Sequence, residues 1–268
     1  MDPLPLAGRT AVVTGVSRRR GIGFAIARQL LLRGASVFCQ HHAAHDRDLP
    51  WGQDDVATVV GQLRGFLTPG ATLDDLGCDL ARAEAAEELV AAAGASLGHL
   101  DVLVCNHARS GSDGPLAAQS ADLLDGHWQV NARATLLLTK AFAARHDGRD
   151  GGRVVWMTSG QQLGPMSDEI AYVASKAALA GATPSVADDL VERNILLNTV
   201  NPGPVNTGYL DPDTSDRTER LPELLAHCPQ GRFGEPDDPA RLVAWLVSDE
   251  ARWVVGQVIS SEGGFRRW

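Results

Sequence analysis

Apolar positions along the chain fall in short runs separated by longer amphipathic stretches, and the two kinds alternate from one end to the other. Residues 10–14 form a β-branched apolar run, followed by glycines and a helical pattern over 21–33 that closes on Gly34, a residue suited to a helix C-cap. Further predicted strands lie at 35–40, 73–80, 101–105, 153–159, 195–201 and 257–261. Predicted helices lie between them, at 54–66, 81–97, 121–145, 170–193 and 239–248. About seven strands, each paired with a helix, imply an α/β protein with a doubly wound parallel sheet of the Rossmann type and helices on both faces. No linker, repeat or low-complexity segment breaks the rhythm, so residues 1–268 read as a single domain. Two irregular stretches, 41–53 and 206–232, are long for a compact domain, and such loops are usually functional. The second is expected to act as a lid.

Composition narrows the setting. Apolar residues make up 44% and charged residues 21%, ordinary values for a globular protein. No apolar stretch of about 18 residues occurs, so no membrane span is expected. The opening residues lack the basic-then-apolar order of a signal peptide. Cys39, Cys78, Cys105 and Cys228 form no CxxC pair and show no metal-ligand spacing. Three of them sit in strand-like runs, which suits buried free thiols, a reducing compartment and a cytoplasmic location. A net charge of −9 argues against nucleic acid and anionic membrane as partners. Arginine carries nearly all the positive charge, and the only lysines are Lys140 and Lys176.

The first candidate chemistry lies where the first strand meets the first helix. Thr14-Gly15, then Val16-Ser17-Arg18-Arg19-Arg20, then Gly21-Ile22-Gly23 form a glycine-bearing turn that lets backbone and a helix N-terminus approach a pyrophosphate. A dinucleotide site selective for NAD(H) usually has an acid at the end of the second strand. Here that strand ends Cys39-Gln40-His41-His42, with no acid before Asp46. Arg18, Arg19 and Arg20 would attract a 2′-phosphate, which would meet no opposing carboxylate. NADP(H) is therefore the favoured cofactor, with NAD(H) as the alternative. His41, His42 and His45 have no cysteine partner and no fixed spacing, and no metal is expected.

A second candidate site is Tyr172-Val-Ala-Ser-Lys176, inside a helical pattern. Residues four apart share one helix face, so an ammonium one turn away is expected to lower the phenol pKa toward a useful range. Ser159 ends a predicted strand at the edge where open parallel sheets bind ligands. Asn131 lies in the long helix before it, and Asn201-Pro202-Gly203-Pro204-Val205-Asn206-Thr207-Gly208 follows the sixth strand.

Together these motifs make the sequence resemble the short-chain dehydrogenase/reductase family along essentially its whole length. The turn resembles the family's TGxxxGxG with two extra residues, and Asp79-Leu80 its acid-plus-apolar pair against adenine. Cys105-Asn106-His107-Ala108 stands where the family has NNAG, and Asn131, Ser159, Tyr172 and Lys176 match its tetrad. Gly231-Arg232-Phe233-Gly234-Glu235-Pro236 and the close Ser261-Glu262-Gly263-Gly264-Phe265 also match. The longer turn, Leu49-Pro50-Trp51-Gly52 and that close are most similar to a bacterial branch labelled 3-oxoacyl-acyl-carrier-protein reductase.

The resemblance implies a reversible hydride transfer between a nicotinamide and a carbonyl or alcohol. Ser159 and Tyr172 would bind the substrate oxygen, with Tyr172 moving the proton. Lys176 would hold the nicotinamide ribose, Asn131 a water linking Lys176 to solvent, and Val205 and Thr207 the carboxamide. The helices 121–145 and 170–193 would pair across a two-fold axis into a homodimer or homotetramer. Two departures stand out: His107-Ala108 should narrow the cofactor pocket, and Pro184 should interrupt and kink the catalytic helix.

Substrate selection should fall to 161–169 and the lid, with Gln161, Met166 and Tyr209 as candidate contacts. The lid carries Asp211, Asp213, Asp216, Glu219 and Glu223, and Asp168 and Glu169 precede Tyr172. That is too polar for a steroid or long acyl chain and suits a small polar ketone. An acyl-carrier protein would need a basic patch, for which Arg145, Arg149 and Arg153 or Arg266 and Arg267 are the candidates. A non-catalytic dinucleotide-binding sensor is the alternative of another class, and the intact Tyr172–Lys176 pair argues against it.

Overall fold

A computed structural model describes residues 4–47, 49–215 and 218–266. The chain runs β1 (Thr10–Val13), α1 (Ile22–Leu32), β2 (Ser36–His41), α2 (Ala44–Arg47), α3 (Val56–Arg64), β3 (Leu73–Gly77), α4 (Ala85–Leu97) and β4 (Val102–Cys105). It continues through α5 (Ala121–His127), a π-helical segment (Trp128–Arg133), α6 (Ala134–Arg145), β5 (Gly152–Met157), α7 (Ile170–Val191), β6 (Ile195–Asn201), α8 (Leu221–Ala226), α9 (Asp237–Leu246) and β7 (Val258–Ser260). The strands form one sheet in the order β3-β2-β1-β4-β5-β6-β7, all parallel. Neighbouring crossovers diverge between β1 and β4, so the chain opens a crevice at the C-terminal ends of those strands.

Each face of the sheet is covered by three helices because the inner strands β1, β2, β4, β5 and β6 bury both of their faces. On one side Leu30 and Leu31 of α1, Val59 and Leu63 of α3, and Val243 and Leu246 of α9 pack on the alternate residues Ala11, Val13, Val37 and Val104. On the other, Leu89 of α4, Leu138 and Phe142 of α6, and Leu179 and Leu190 of α7 pack on Val12, Leu103, Val154 and Trp156. Fully burying such a side chain stabilises by about 1.5–3 kcal/mol, so the two layers hold the sheet as a rigid platform.

Several expected boundaries change. The strand expected over 153–159 ends at Met157; Thr158 still donates its amide to Val200, but Ser159 lies beyond the sheet. The expected single helix over 121–145 is three pieces, with a π turn centred on Asn131. Pro184 does not interrupt α7, which runs on to Val191. Its packing along β6 outweighs one missing backbone bond, as tertiary contacts generally outweigh propensity. The two irregular stretches contain the short helices α2 and α8.

Candidate active site

The turn after β1 is pinned from three strands. Gly15 donates its amide to Gln40 Oε1 at 3.0 Å, and Gln40 Nε2 donates to the Cys78 carbonyl at 2.7 Å. Asn106 Nδ2 reaches the carbonyls of Thr14 and Gly15, and His42 donates its amide to Ser17 Oγ. A Cβ on Gly23 would lie 2.3 Å from the Gly15 carbonyl oxygen, so only glycine lets α1 come this close to the strand end. Helix α1 opens at Gly21-Ile22 with no side-chain cap and no acid in its first turn. Those N–H groups suit an anion.

The arginines of this turn do not stand free. Arg18 Nε lies 2.8 Å from Asp46 Oδ1, its Nη1 donates to the Thr207 carbonyl at 2.6 Å, and its guanidinium sits 5.5 Å from the Trp51 ring centre. Arg19 is bound by Asp54, and Arg20 pairs with Asp211 at 2.6 Å. The expectation that a 2′-phosphate would meet no carboxylate is therefore wrong: three acids from separate segments neutralise the three arginines. At the end of β2, His41 is turned to Asp75 on β3 at 3.1 Å, while His45 Nε2 faces the Ser110 amide. Among the described residues no group of three His, Cys, Asp or Glu side chains could hold a metal. Of the expected adenine pair, Asp79 accepts the Ala81 amide and Leu80 is buried in the core.

His107 does not simply fill the pocket. Its ring is buried and spans from Thr14 Oγ1 at 2.7 Å to the Val130 carbonyl at 3.0 Å, tying β1 and β4 to the π segment. Burial, reinforced by the Lys176 charge, pushes its pKa down to about 3, so the imidazole is neutral and Nε2–H donates to Val130. Ala108 follows it into the loop toward Arg109. Asn131, fully buried in the π segment, grips that loop: Oδ1 accepts the Arg109 amide at 2.7 Å, and Nδ2 donates to the Arg109 carbonyl and to Ser175 Oγ. A π turn is where helices often accommodate functional groups.

Tyr172 and Lys176 stand one turn apart at the start of α7, and Ser159, in the loop after β5, is close enough to the Tyr172 phenol to act on its pKa. The Lys176 ammonium is buried, donates to the Met157 carbonyl at 2.9 Å and lies 5.7 Å from the Tyr172 ring centre. The expected lowering of the phenol pKa is not found. Burial raises it to about 12, Glu169 adds to the rise, and nearby Ser159 offsets only part. Lys176 is itself lowered to about 8 by burial. Desolvation outweighs the charge one turn away because both groups sit in the same dry crevice.

Pro202, Gly203, Val205 and Thr207 line the loop after β6, where Val205 bridges to Gly234 and Gly203 donates to Asn201 Oδ1. Tyr209 packs edge-on against Trp51 with ring centres 6.3 Å apart, and its hydroxyl is raised by burial and by neighbouring Tyr172. Gln161 donates to Thr158 Oγ1 and leaves its buried Oε1 without a partner. Met166 lies half-buried in the same β5–α7 loop, and Asp168 pairs with Arg220 of the lid at 2.8 Å. Asp216 and Arg267 lie outside the described residues. Of the proposed basic patch, Arg145 pairs with Glu87, Arg149 with Asp147, and Arg153 is buried beside Asp249, so no free cationic surface is formed by these three. Burial raises the pKa of all four cysteines, which keeps them as thiols.

Two important side chains were not singled out from the sequence. Gln40 is one; a buried polar residue inside an apolar strand was the available signal. The other is Asp113, in the loop after β4. Its carboxylate accepts the amides of Tyr172 at 2.7 Å, Ala171 at 3.2 Å and Gly114 at 2.8 Å, and Gln119 Nε2 at 3.0 Å. It performs the capping that Glu169, at the N-cap of α7, does not. Beside it, His127 is fully buried and stacks edge-on against Tyr172 at 6.3 Å.

The chain is similar to known proteins along nearly all of its length. A family profile described as enoyl-(acyl carrier protein) reductase matches residues 15–266. The chain is 37% identical over 262 residues to an uncharacterized oxidoreductase, YjdA, of Bacillus subtilis strain 168, covering 97% of each. Among solved structures it is similar to a blue fluorescent protein from a metagenomic library in complex with NADPH, with 32% identity, a TM-score of 0.82 and 97% and 99% of the two chains covered. A short chain dehydrogenase from Burkholderia cenocepacia J2315 in complex with NADP shows 30% identity, a TM-score of 0.82 and coverage of 97% and 98%.

Proposed function

From the premise that the chain belongs to the short-chain dehydrogenase/reductase family, we propose that it reduces a small polar ketone to a secondary alcohol with NADPH, reversibly. The observation that supports this reading is the clustering of three side chains beyond the end of β5: the buried Lys176 ammonium beside the Tyr172 ring, with Ser159 near enough to the phenol to lower its pKa. Support for NADP(H) comes from two similar structures described as complexes with NADPH and NADP, and from the arginine-bearing turn at the uncapped start of α1.

Bound at the turn, the nicotinamide cofactor would supply or accept the hydride. Gly15, Ser17, Gly21, Ile22 and Gly23 would receive the pyrophosphate, Asn106, His107 and Ala108 would form the wall beside it, and Pro202, Gly203, Val205 and Thr207 the far side. Ser159 orients the substrate oxygen. Tyr172, a phenol with its pKa raised to about 12, keeps its proton at neutral pH and is a donor suited to the reductive direction. Lys176 grips the ribose and stabilises negative charge as the phenol proton leaves. Asn131 keeps the Arg109 loop and Ser175 in register, and with them the floor under Lys176. Gln161, Met166 and Tyr209 would select the substrate.

The acyl-carrier-protein reading loses support, because Arg145, Arg149 and Arg153 are each beside an acid. The test is NADPH consumption across a panel of small polar ketones together with a short 3-oxoacyl thioester. Consumption with a polar ketone and none with the thioester is expected; preference for the thioester would overturn the substrate assignment.

A further inference from the structure

The turn between β1 and α1 borders a cavity of about 330 Å³ lined by Arg18, Arg19, Arg20, Trp51, Gly52, Asp54 and Gln62. Within it, the Asp54 carboxylate is held as an anionic ligand would be. Oδ2 accepts the Arg19 backbone amide at 2.7 Å and Nε at 3.2 Å, and Oδ1 accepts Nη2 at 3.0 Å. A main-chain N–H and a guanidinium fork converging on one group is the donor set that binds phosphate. The neighbouring arginines are engaged differently. Arg18 is wedged between Asp46, the Thr207 carbonyl and the Trp51 ring and is largely buried, and Arg20 reaches out to Asp211 on the lid. The turn lies over the end of β2, to which Ser17 and Gly15 are tied through His42 and Gln40, and this is the edge where a dinucleotide's adenosine ribose binds.

We propose that Asp54 is a built-in competitor for the cofactor's 2′-phosphate, occupying the seat on the Arg19 guanidinium and backbone amide that the phosphate would take. The proposal rests on the NADP(H) reading above. A phosphomonoester carries nearly twice the charge of a carboxylate and a third acceptor oxygen, so it can displace Asp54; a bare 2′-hydroxyl cannot. Asp54 therefore sets the strength of discrimination between phosphorylated and unphosphorylated dinucleotide. The half-exposed pair, with Arg19 47% and Asp54 23% exposed, is loose enough to exchange partners.

The test is calorimetric binding of adenosine 2′,5′-bisphosphate and of adenosine 5′-phosphate to the full-length protein, its Asp54→Asn variant and its Arg19→Gln variant. Asp54→Asn is expected to tighten the bisphosphate by roughly fivefold, with the gain shrinking at high salt, and to leave the monophosphate unchanged. Arg19→Gln should abolish the difference between the two nucleotides while keeping the monophosphate affinity. Weaker or unchanged bisphosphate binding in Asp54→Asn would overturn the competitor role and make Asp54 an orienter of Arg19. Undiminished discrimination in Arg19→Gln would remove Arg19 from phosphate reading. If the unaltered protein binds the monophosphate but not the bisphosphate more tightly, the NADP(H) reading itself falls.

Discussion

Removing the Asp113 carboxylate should disable the catalytic helix without touching the cofactor site. Asp113 accepts from the amides of Ala171 and Tyr172, the second and third residues of α7, which are the donors an N-cap side chain ordinarily satisfies. Burial alone would raise its pKa, but the bonds from Tyr172, Gly114, Gln119 and Ala171 outweigh it and hold the carboxyl below its ordinary value. Its contribution to stability is thus present at neutral pH and lost only as pH falls through that lowered pKa. A cap is worth about 0.5–2 kcal/mol, and a carboxylate at a helix N-terminus adds roughly 0.3–1 kcal/mol. Asp113→Ala should therefore cost about 1–3 kcal/mol, which for a domain of this size lowers Tm by about 2–12 °C. Tyr172 is one of the residues so anchored, and in the proposed mechanism its phenol meets Ser159 and the substrate oxygen. A shift of the first turn should lower kcat by roughly 10–100-fold while NADPH affinity holds. Calorimetric melting, steady-state kinetics and a fluorescence titration with NADPH read these separately. Unchanged kcat in a variant whose Tm has fallen would show that the cap stabilises α7 without positioning Tyr172.

The titration of the site leads to a second expectation. Lys176 has a pKa near 8 in the folded protein against 10.5 ordinarily, because it is buried, so between those values the folded protein has shed a proton that the unfolded chain keeps. Stability contributed by this group rises with pH through that window, whereas ketone reduction should decline above about pH 8 as the ammonium is lost, although Tyr172 remains protonated to about 12. A reduction profile flat through pH 10 would contradict this role for Lys176. At the turn, Gly23→Ala would drive a Cβ to 2.3 Å from the Gly15 carbonyl and 2.7 Å from Asn106 Nδ2. It should cost about 1–3 kcal/mol and weaken NADPH binding at least tenfold, and retained affinity would show that the turn yields more than its three-strand anchoring implies.

The alternation of apolar runs and amphipathic stretches was enough to read the parallel sheet and its helical layers, because an inner strand buried on both faces must be continuously apolar. Tyr172 and Lys176 were legible from their spacing on one helix face, and Asn131 and Ser159 became so through the family motifs. Less legible was whatever depended on distant partners. Asp113 is 59 residues from the Tyr172 amide it caps, and nothing local marks it. The acids that neutralise Arg18, Arg19 and Arg20 come from three separate segments at Asp46, Asp54 and Asp211. The π turn at Asn131 spans only six residues, too few to separate its period from that of the helices on either side. For Tyr172 the sequence shows the neighbouring charge but not the depth of burial, and burial decides the direction of the pKa shift.

The most direct test of the central claim compares the unaltered protein with Tyr172→Phe in one experiment, following nicotinamide absorbance with a ketone that the unaltered protein reduces and NADPH binding by fluorescence. Loss of hydride transfer with NADPH affinity intact is the predicted result, since the phenol proton is removed while the turn, Lys176 and the sheet edge stay in place. Turnover retained in the variant would contradict the assignment of Tyr172 as the proton donor.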